Sequence, residues 1–367
     1  MTRLLVVDDS ALVRRLLGEL FEAEEGFEVA YARNGLEALD ALQSFRPDVI
    51  TLDVQMPQMD GLTCLDRIMV ERPTPVVMVS SLTEAGAAET LKALALGAVD
   101  VIAKPSGPIS LEIDTLGPLL VEKIRAAAGA RIRRTHRLAE RVRTLAGAAA
   151  TAPRPARQPG KAAATRAAIG VPAPGEPAGL VLVGCSTGGP PALDALLSPL
   201  PADFPWPLRV AQHMPRAFTG PLARRLDGLC ALKVVEVTQP VRIEKGHVYI
   251  GRGDADLIVS ARPDGVFALS APASQEHRWH PSVDRMVESA LAAFPSERLA
   301  GVLMTGMGDD GAASLARVRA GGGLTLAEAE ETAVVWGMPG ELVRAGGASV
   351  VAPLELLAQR LVEGLAA

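Results

Sequence analysis

A serine at the end of a buried apolar run carries the first chemistry in this chain. In LVLVGCSTGGPPALDALL, Leu180 to Gly184 read as a strand, and Ser186 falls where the strand gives way to a sharp turn and a helix. Gly184, Gly188 and Gly189 let the backbone turn without Cβ clashes. The helix that follows aims its unsatisfied amides and positive dipole end back at the hydroxyl. A serine so placed can attack an acyl group, and the turn suits the anionic intermediate. The string fits G-x-S-x-G loosely, and a glycine-rich strand-to-helix turn serves equally as a phosphate cradle or as tight packing.

A nucleophilic serine needs a base and a group that orients the base. Of the five histidines, His136 lies in a stretch rich in alanine, proline and arginine, and His247 opens a strand after a turn. His277 and His280 sit in QEHRWHPSVD ahead of a helix, a place that fits substrate contact, a cap or plain surface. His213, ending the strand LRVAQ, shares the strand-end address of Ser186. For the acid, AGVLMTGMGDDGA offers Asp309 and Asp310 at the end of another buried strand, in a loop with amides able to face an oxyanion. Both also read as caps of the next helix, and spacing does not choose between them.

A second constellation lies near the N-terminus. Asp8 and Asp9 follow the first strand, Asp53 ends the third, Ser80 the fourth, and Lys104 the fifth, before Pro105. Carboxylates gathered at one sheet edge repel one another, so their use is to hold a hard divalent cation such as Mg²⁺. With that charge and a lysine ammonium in place, the central carboxylate can accept a phosphoryl group.

These side chains require strands that end together. Residues 1 to about 125 alternate apolar strands with amphipathic helices (RLLVVDD, FEVAYA, PDVITLD, PVVMVSS and DVIAKP are the strands), which predicts five βα units and a parallel sheet. From about 126 to 178 the chain is rich in alanine, proline and arginine and too poor in core formers to fold alone. Its first part, through Arg143, extends as helix in this reading, and the remainder is linker. A second α/β alternation begins near Gly179, with an antiparallel insertion expected from short strands between about 247 and 270. Ligands of such sheets bind at strand C-termini, so Ser186, His213 and the 305–310 loop are expected to converge.

The whole chain sets bounds. Its 367 residues allow two domains and a linker, and 49% hydrophobic content supports cores in both. No apolar run reaches the roughly 18 residues of a membrane span, and Met1 runs straight into a strand, so no signal peptide and a cytoplasmic setting are expected. Cys64, Cys185 and Cys230 are widely spaced without a C-x-x-C pair, which argues against disulfides and zinc. A net charge of −5 argues against a nucleic-acid-binding surface, although arginines cluster from Arg125 to Arg143. Two other classes remain to be weighed: a scaffold without hydrolysis, and a DNA-binding regulator.

VVDDS, LDVQMPQMDGL, MVSS and AKP together resemble the receiver domain of response regulators over residues 1–124. The resemblance implies a flavodoxin-like five-stranded fold, phosphorylation of Asp53, Mg²⁺ held with Asp8 and Asp9, and phosphoryl contacts from Ser80 and Lys104. Val101 stands where receivers commonly carry a switch aromatic. GCSTGGP, QHMP, PSVD, LMTGMGDDGA and WGMP resemble, over about 179–365, the catalytic domain of the chemotaxis protein-glutamate methylesterases, the CheB family. That resemblance implies Ser186 as nucleophile, His213 as base, Asp310 as acid, and Thr187 with the Met307 backbone at the oxyanion. It further implies hydrolysis of glutamate methyl esters and deamidation of glutamine on methyl-accepting chemotaxis receptors, with no cofactor in that domain. A chemotaxis histidine kinase would phosphorylate the receiver and relieve its obstruction of the cleft. The domains expected are 1–124, a 125–178 linker and 179–365. Cys185 replaces the usual alanine, and strand alternation predicts that it points away from Ser186. Asp309 adds a charge beside the acid, where it would bear on the pKa of His213. GRGDADL departs from a stretch that often carries histidine.

Overall fold

The computed structural model describes residues 1–80, 83–104, 109–132 and 177–366. His136 and most of the expected linker lie outside the described residues.

Five strands form the first sheet: β1 (Thr2–Val7), β2 (Phe27–Ala32), β3 (Val49–Asp53), β4 (Val76–Ser80) and β5 (Asp100–Ala103). They are parallel in the order β2-β1-β3-β4-β5, so chain direction across the sheet reverses between β1 and β3 and opens a crevice beyond their C-terminal ends. The central strands are apolar throughout because helices cover both faces: Leu4, Leu5, Ile50, Leu52, Val76 and Val77 are fully buried. The helices are α1 (Ala11–Glu22), α2 (Gly35–Ser44), α3 (Gly61–Glu71), α4 (Glu84–Leu96) and α5 (Ile109–Ala128). Ser10, Asn34, Asp60 and Thr83 each accept an amide hydrogen bond at the start of one of the first four. Each such cap contributes about 1 kcal/mol.

The second sheet contains β6 (Leu180–Cys185), β7 (Leu208–Gln212) and β8 (Lys233–Val237). After a short β9 (Val241–Arg242), β10 (His247–Gly251) returns to it, and β11 (Ala255–Arg262) and β12 (Gly265–Pro272) leave it. β13 (Leu299–Leu303), β14 (Leu324–Glu328) and β15 (Val350–Ala352) complete the seven parallel strands, in the order β15-β14-β13-β6-β7-β10-β8. The antiparallel side sheet is β11-β12-β9. The expected insertion therefore needs correction: HVYIG belongs to the parallel sheet, and only residues after Gly251, with Val241–Arg242, are antiparallel. Burial is the reason. Val248 to Gly251 are buried without a break, as covering on both faces demands, whereas β11 alternates and ends exposed.

Side-chain alternation sorts the second core. Val181, Val183 and Cys185 face α6 (Gly189–Leu197), α7 (Arg216–Asp227) and α11 (Leu354–Ala366). Leu180 and Leu182 face α8 (Val283–Ala293), α9 (Ala312–Ala320), α10 (Met338–Arg344) and the side sheet. The two units share a buried cluster in which Ala87, Leu91 and Leu94 of α4 join Phe218 and Leu222 of α7. Fully burying a leucine contributes about 2 kcal/mol, so this is a cohesive seam. Main-chain bonds stitch it: Gly188 N–H to Val99 O at 3.0 Å and Arg131 N–H to Val334 O at 3.1 Å. Among the described residues, no helix is long and apolar enough to cross a membrane.

Candidate active site

Ser186, His213 and Asp310 follow β6, β7 and β13, and neighbouring strands carry them to one edge of the sheet. His213 Nε2 lies 2.8 Å from Asp310 Oδ2. His213 Nδ1 and Ser186 Oγ are both buried and make no hydrogen bond among the described residues. With Nε2 committed to the carboxylate, Nδ1 is the ring nitrogen left to take a proton. Catalytic hydrogen bonds are often unformed without substrate, so the separate serine and histidine fit an acyl-transfer site at rest.

The backbone fixes this serine. Its amide donates to Thr305 O at 2.9 Å, its carbonyl accepts from Gln212 Nε2 at 2.9 Å, and the Thr305 hydroxyl donates to Thr187 O at 2.8 Å. Glu328, fully buried, accepts the Thr305 amide at 2.8 Å. A Cβ on Gly306 would come within 2.7 Å of Ser186 Cβ, so only glycine permits that approach. The amides of Thr187 and Met307 have no acceptor among the described residues and are available to an oxyanion. Cys185 points into the core opposite, where its thiol donates to Gln212 Oε1 at 3.1 Å and burial raises its pKa far above the usual thiol range.

Asp310 is held by more than the histidine. It also accepts from Ser282 Oγ at 3.1 Å, Val283 N–H at 2.7 Å and Asp284 N–H at 2.9 Å. Burial pushes its carboxyl pKa up, but the hydrogen bond and charge of His213 and the two amides outweigh that and keep it below the usual range. Asp309 is exposed and its side chain has no ion pair among the described residues. The carboxylate that bears on Asp310 is instead Asp284, whose own pKa is raised by burial and then by the charge of Asp310.

Sequence reasoning marked His280 and PSVD but missed Trp279 and Asp256, which with them support His213. The Trp279 ring stacks on His213 with centroids 5.5 Å apart and planes 9° apart. Next to it, His280 Nδ1 lies 2.9 Å from Oδ1 of the buried Asp256, which also accepts from Ser282 N–H at 2.9 Å and Arg285 at 2.5 Å. Residues 279–284 thus run from Asp256 to Asp310 with Trp279 against the base. In sequence, QEHRWHPSVD and GRGDADL marked the two stretches, with nothing to show that Asp256 in one would hold the other. His247 begins β10, at the strand end away from Ser186, and His277 is partly exposed.

A cleft of about 860 Å³ opens over His213, Trp279 and His280. Its opposite wall is the first unit, through Ala103, Leu119 and Lys123. There Asp100, at the start of β5, accepts the Thr187 hydroxyl at 2.6 Å and pairs with Lys123 at 3.1 Å.

In the first unit, carboxylate oxygens of Asp8, Asp9 and Asp53 lie within 4.8 Å of one another. Lys104 Nζ is 2.7 Å from Asp53 and 3.0 Å from Asp8. Burial, followed by the charge of Asp8, raises the pKa of Asp53 despite Lys104. One ammonium facing three carboxylates leaves negative charge uncompensated, so this donor set fits a divalent cation with oxygen ligands. Ser80 is buried in the same pocket, and Val101 is buried within β5.

The architecture defines a class: a five-stranded parallel receiver joined to a parallel α/β hydrolase domain with an antiparallel side sheet. Residues 4–113 match the response regulator receiver domain and residues 181–361 match CheB methylesterase. Protein-glutamate methylesterase/protein-glutamine glutaminase 2 of Rhodopseudomonas palustris (strain BisB18) is 61% identical over 363 residues, covering 99% of this chain and 98% of that protein. The corresponding protein 3 of Rhodospirillum rubrum is 52% identical, covering 98% and 95%. The crystal structure of the Thermotoga maritima CheB methylesterase catalytic domain is 37% identical, covers 50% of this chain and 97% of its own, and has a TM-score of 0.49. The chain belongs to the CheB methylesterase family, as a hydrolase with a response regulator receiver ahead of it.

Proposed function

We propose that this chain hydrolyses γ-methyl esters of glutamate, and deamidates glutamine, on methyl-accepting chemotaxis receptors, under control of its own receiver. The observation that carries the reading is the arrangement of His213, bonded to Asp310 through Nε2 and free at Nδ1, beside a buried serine with an unengaged hydroxyl. His213 Nδ1 takes the Ser186 proton as Oγ bonds to the γ-carbonyl carbon. Asp310 holds the imidazole tautomer and stabilises its charged form. The oxyanion accepts from the amides of Thr187 and Met307. Collapse expels methanol, protonated by His213, and leaves an acyl-serine. Water, losing a proton to His213, then releases glutamate and restores Ser186. Glutamine follows the same path with ammonia as the leaving group.

In this reading a cytoplasmic chemotaxis histidine kinase phosphorylates Asp53, with Ser80 and Lys104 contacting the phosphoryl group. Asp8, Asp9 and Asp53 would hold Mg²⁺, which when bound neutralises charge that otherwise repels the phosphoryl donor. The domains in this reading are a receiver over 1–124, whose last helix runs on to Ala128, a linker that continues to 178, and a hydrolase domain over 179–365. Docked as it is, the receiver covers the cleft and engages Thr187, so phosphorylation acts by favouring an undocked arrangement. Methanol release from methylated receptor fragments is expected to fall at least about 10⁴-fold in Ser186→Ala. Full retention of release by that variant would remove the serine mechanism.

A further inference from the structure

The cleft wall carries an unbalanced set of charges. From the hydrolase domain it presents Arg216, Arg224, Arg252 and Arg278 against two carboxylates, Glu236 and Asp254. Glu236 is engaged by the Thr219 hydroxyl at 2.6 Å. The guanidinium groups of Arg216, Arg224 and Arg252 have no ion pair or hydrogen bond among the described residues. A partner that enters must strip water from several unpaired cations, which favours one that brings anions with it.

The paired member of the set shows what this wall accepts. Arg278 pairs with Glu122 on α5 of the docked receiver. Leu119, Glu122 and Lys123 of α5 are spaced i, i+3 and i+4, so they share one helix face, and Leu119 and Lys123 line the cleft. A helix bearing a carboxylate on its inward face is therefore already seated there. Arg278 also lies over Trp279, 5.1 Å from the ring centroid, and Trp279 stacks on His213. The guanidinium and the base thus border the same indole, which keeps them no more than about two helical turns apart, roughly 11 Å.

We infer that the cleft binds an acidic helical segment, with Arg278 engaging a substrate carboxylate one or two turns from the scissile glutamyl side chain, and that Glu122 holds this place in the docked state. The inference rests on the methylesterase reading. It makes Arg278 a specificity-determining residue and the α5 face an internal surrogate for substrate.

The test uses full-length protein treated with a small-molecule phosphodonor and measures methanol release from three esters. Two are helical peptides with one central glutamate methyl ester, flanked at three, four and seven residues by glutamates in one and glutamines in the other. The third is a small neutral glutamate γ-methyl ester. Wild type is expected to favour the acidic peptide in kcat/KM by about 5-fold or more, a preference that shrinks with added salt. Arg278→Gln is expected to bring the ratio of the two peptides near one, and Arg278→Lys to keep part of it. The ratio is the reading, because loss of the stack on Trp279 lowers both rates together. Equal rates for the two peptides in wild type, or an undiminished ratio in Arg278→Gln, overturn the inference while leaving the methylesterase reading intact. No hydrolysis of any of the three esters by wild type removes both.

Discussion

Asp256 shows how much of this site depends on one residue that touches neither serine nor base. It is buried, and its carboxylate gathers His280, Arg285 and the amides of Ser274 and Ser282. Burial raises its pKa, but His280, Ser282, Arg285 and Ser274 together bring it below the usual value. A carboxylate depressed by folding stabilises the native state above its unfolded pKa, and that contribution is lost as pH falls through the lower folded value. Asp256→Asn is therefore expected to cost about 3 kcal/mol near pH 7, from breaking a buried charge cluster, and to lose less further stability than wild type as pH falls below about 4, the unfolded carboxyl value. Urea unfolding at several pH values reads both effects, and parallel acid limbs in the two proteins would count against them. The strand-end addresses of Ser186, His213 and Asp310 were legible because Ser186 and Asp310 come after continuous apolar runs and His213 directly follows the short strand LRVAQ. Asp256 and Trp279 were not, since the partners of Asp256 lie 18 to 29 residues away, in an irregular segment and the first turn of α8, and Trp279 meets a histidine that follows a distant strand.

At the scale of elements, β5 does two jobs. As a strand it closes the receiver sheet beside β4, and its first residue, Asp100, reaches the hydrolase domain. Sequence marked DVIAKP as a strand for its apolar pattern and for Lys104, with nothing to show that Asp100 would meet Thr187, 87 residues on. Asp100→Ala removes the bond to Thr187 and frees Lys123, so unphosphorylated protein is expected to gain methanol-release activity by about 3- to 10-fold, the worth of one or two hydrogen bonds. Unchanged basal activity would mean that Asp100 does not hold the domains together. The element that sequence misplaced, β10, failed for a related reason. A five-residue apolar run between turns suits either kind of sheet, and only its neighbours β7 and β8, one on each side, decide for the parallel one.

For the whole molecule, the seam between α4 and α7 and the contacts of β5 and α5 make the docked form a single packed body. If docking is the brake, a phosphodonor should raise methanol release in wild type and leave Asp53→Ala at the basal rate. Equal activity in all three conditions would rule out gating through Asp53. Two sheets and a connecting stretch were readable from composition and periodicity alone. How the sheets face each other was not, because Ala87, Leu91 and Leu94 read as the ordinary buried side of a receiver helix, with no mark that a second domain covers them.

The bond from Thr187 to Asp100 also runs the other way. Thr187 meets the receiver through its hydroxyl and, in the proposed mechanism, the reacting ester through its amide, so whatever factor undocking adds to substrate affinity, bound substrate must add to the undocking equilibrium. On the proposed function, methylated receptor is then an input to this protein as well as its target. At saturating unreacted ester, with Ser186→Ala to prevent turnover, the receiver should be released from the hydrolase domain without any phosphoryl group, as hydrogen exchange at β5 and α5 would register.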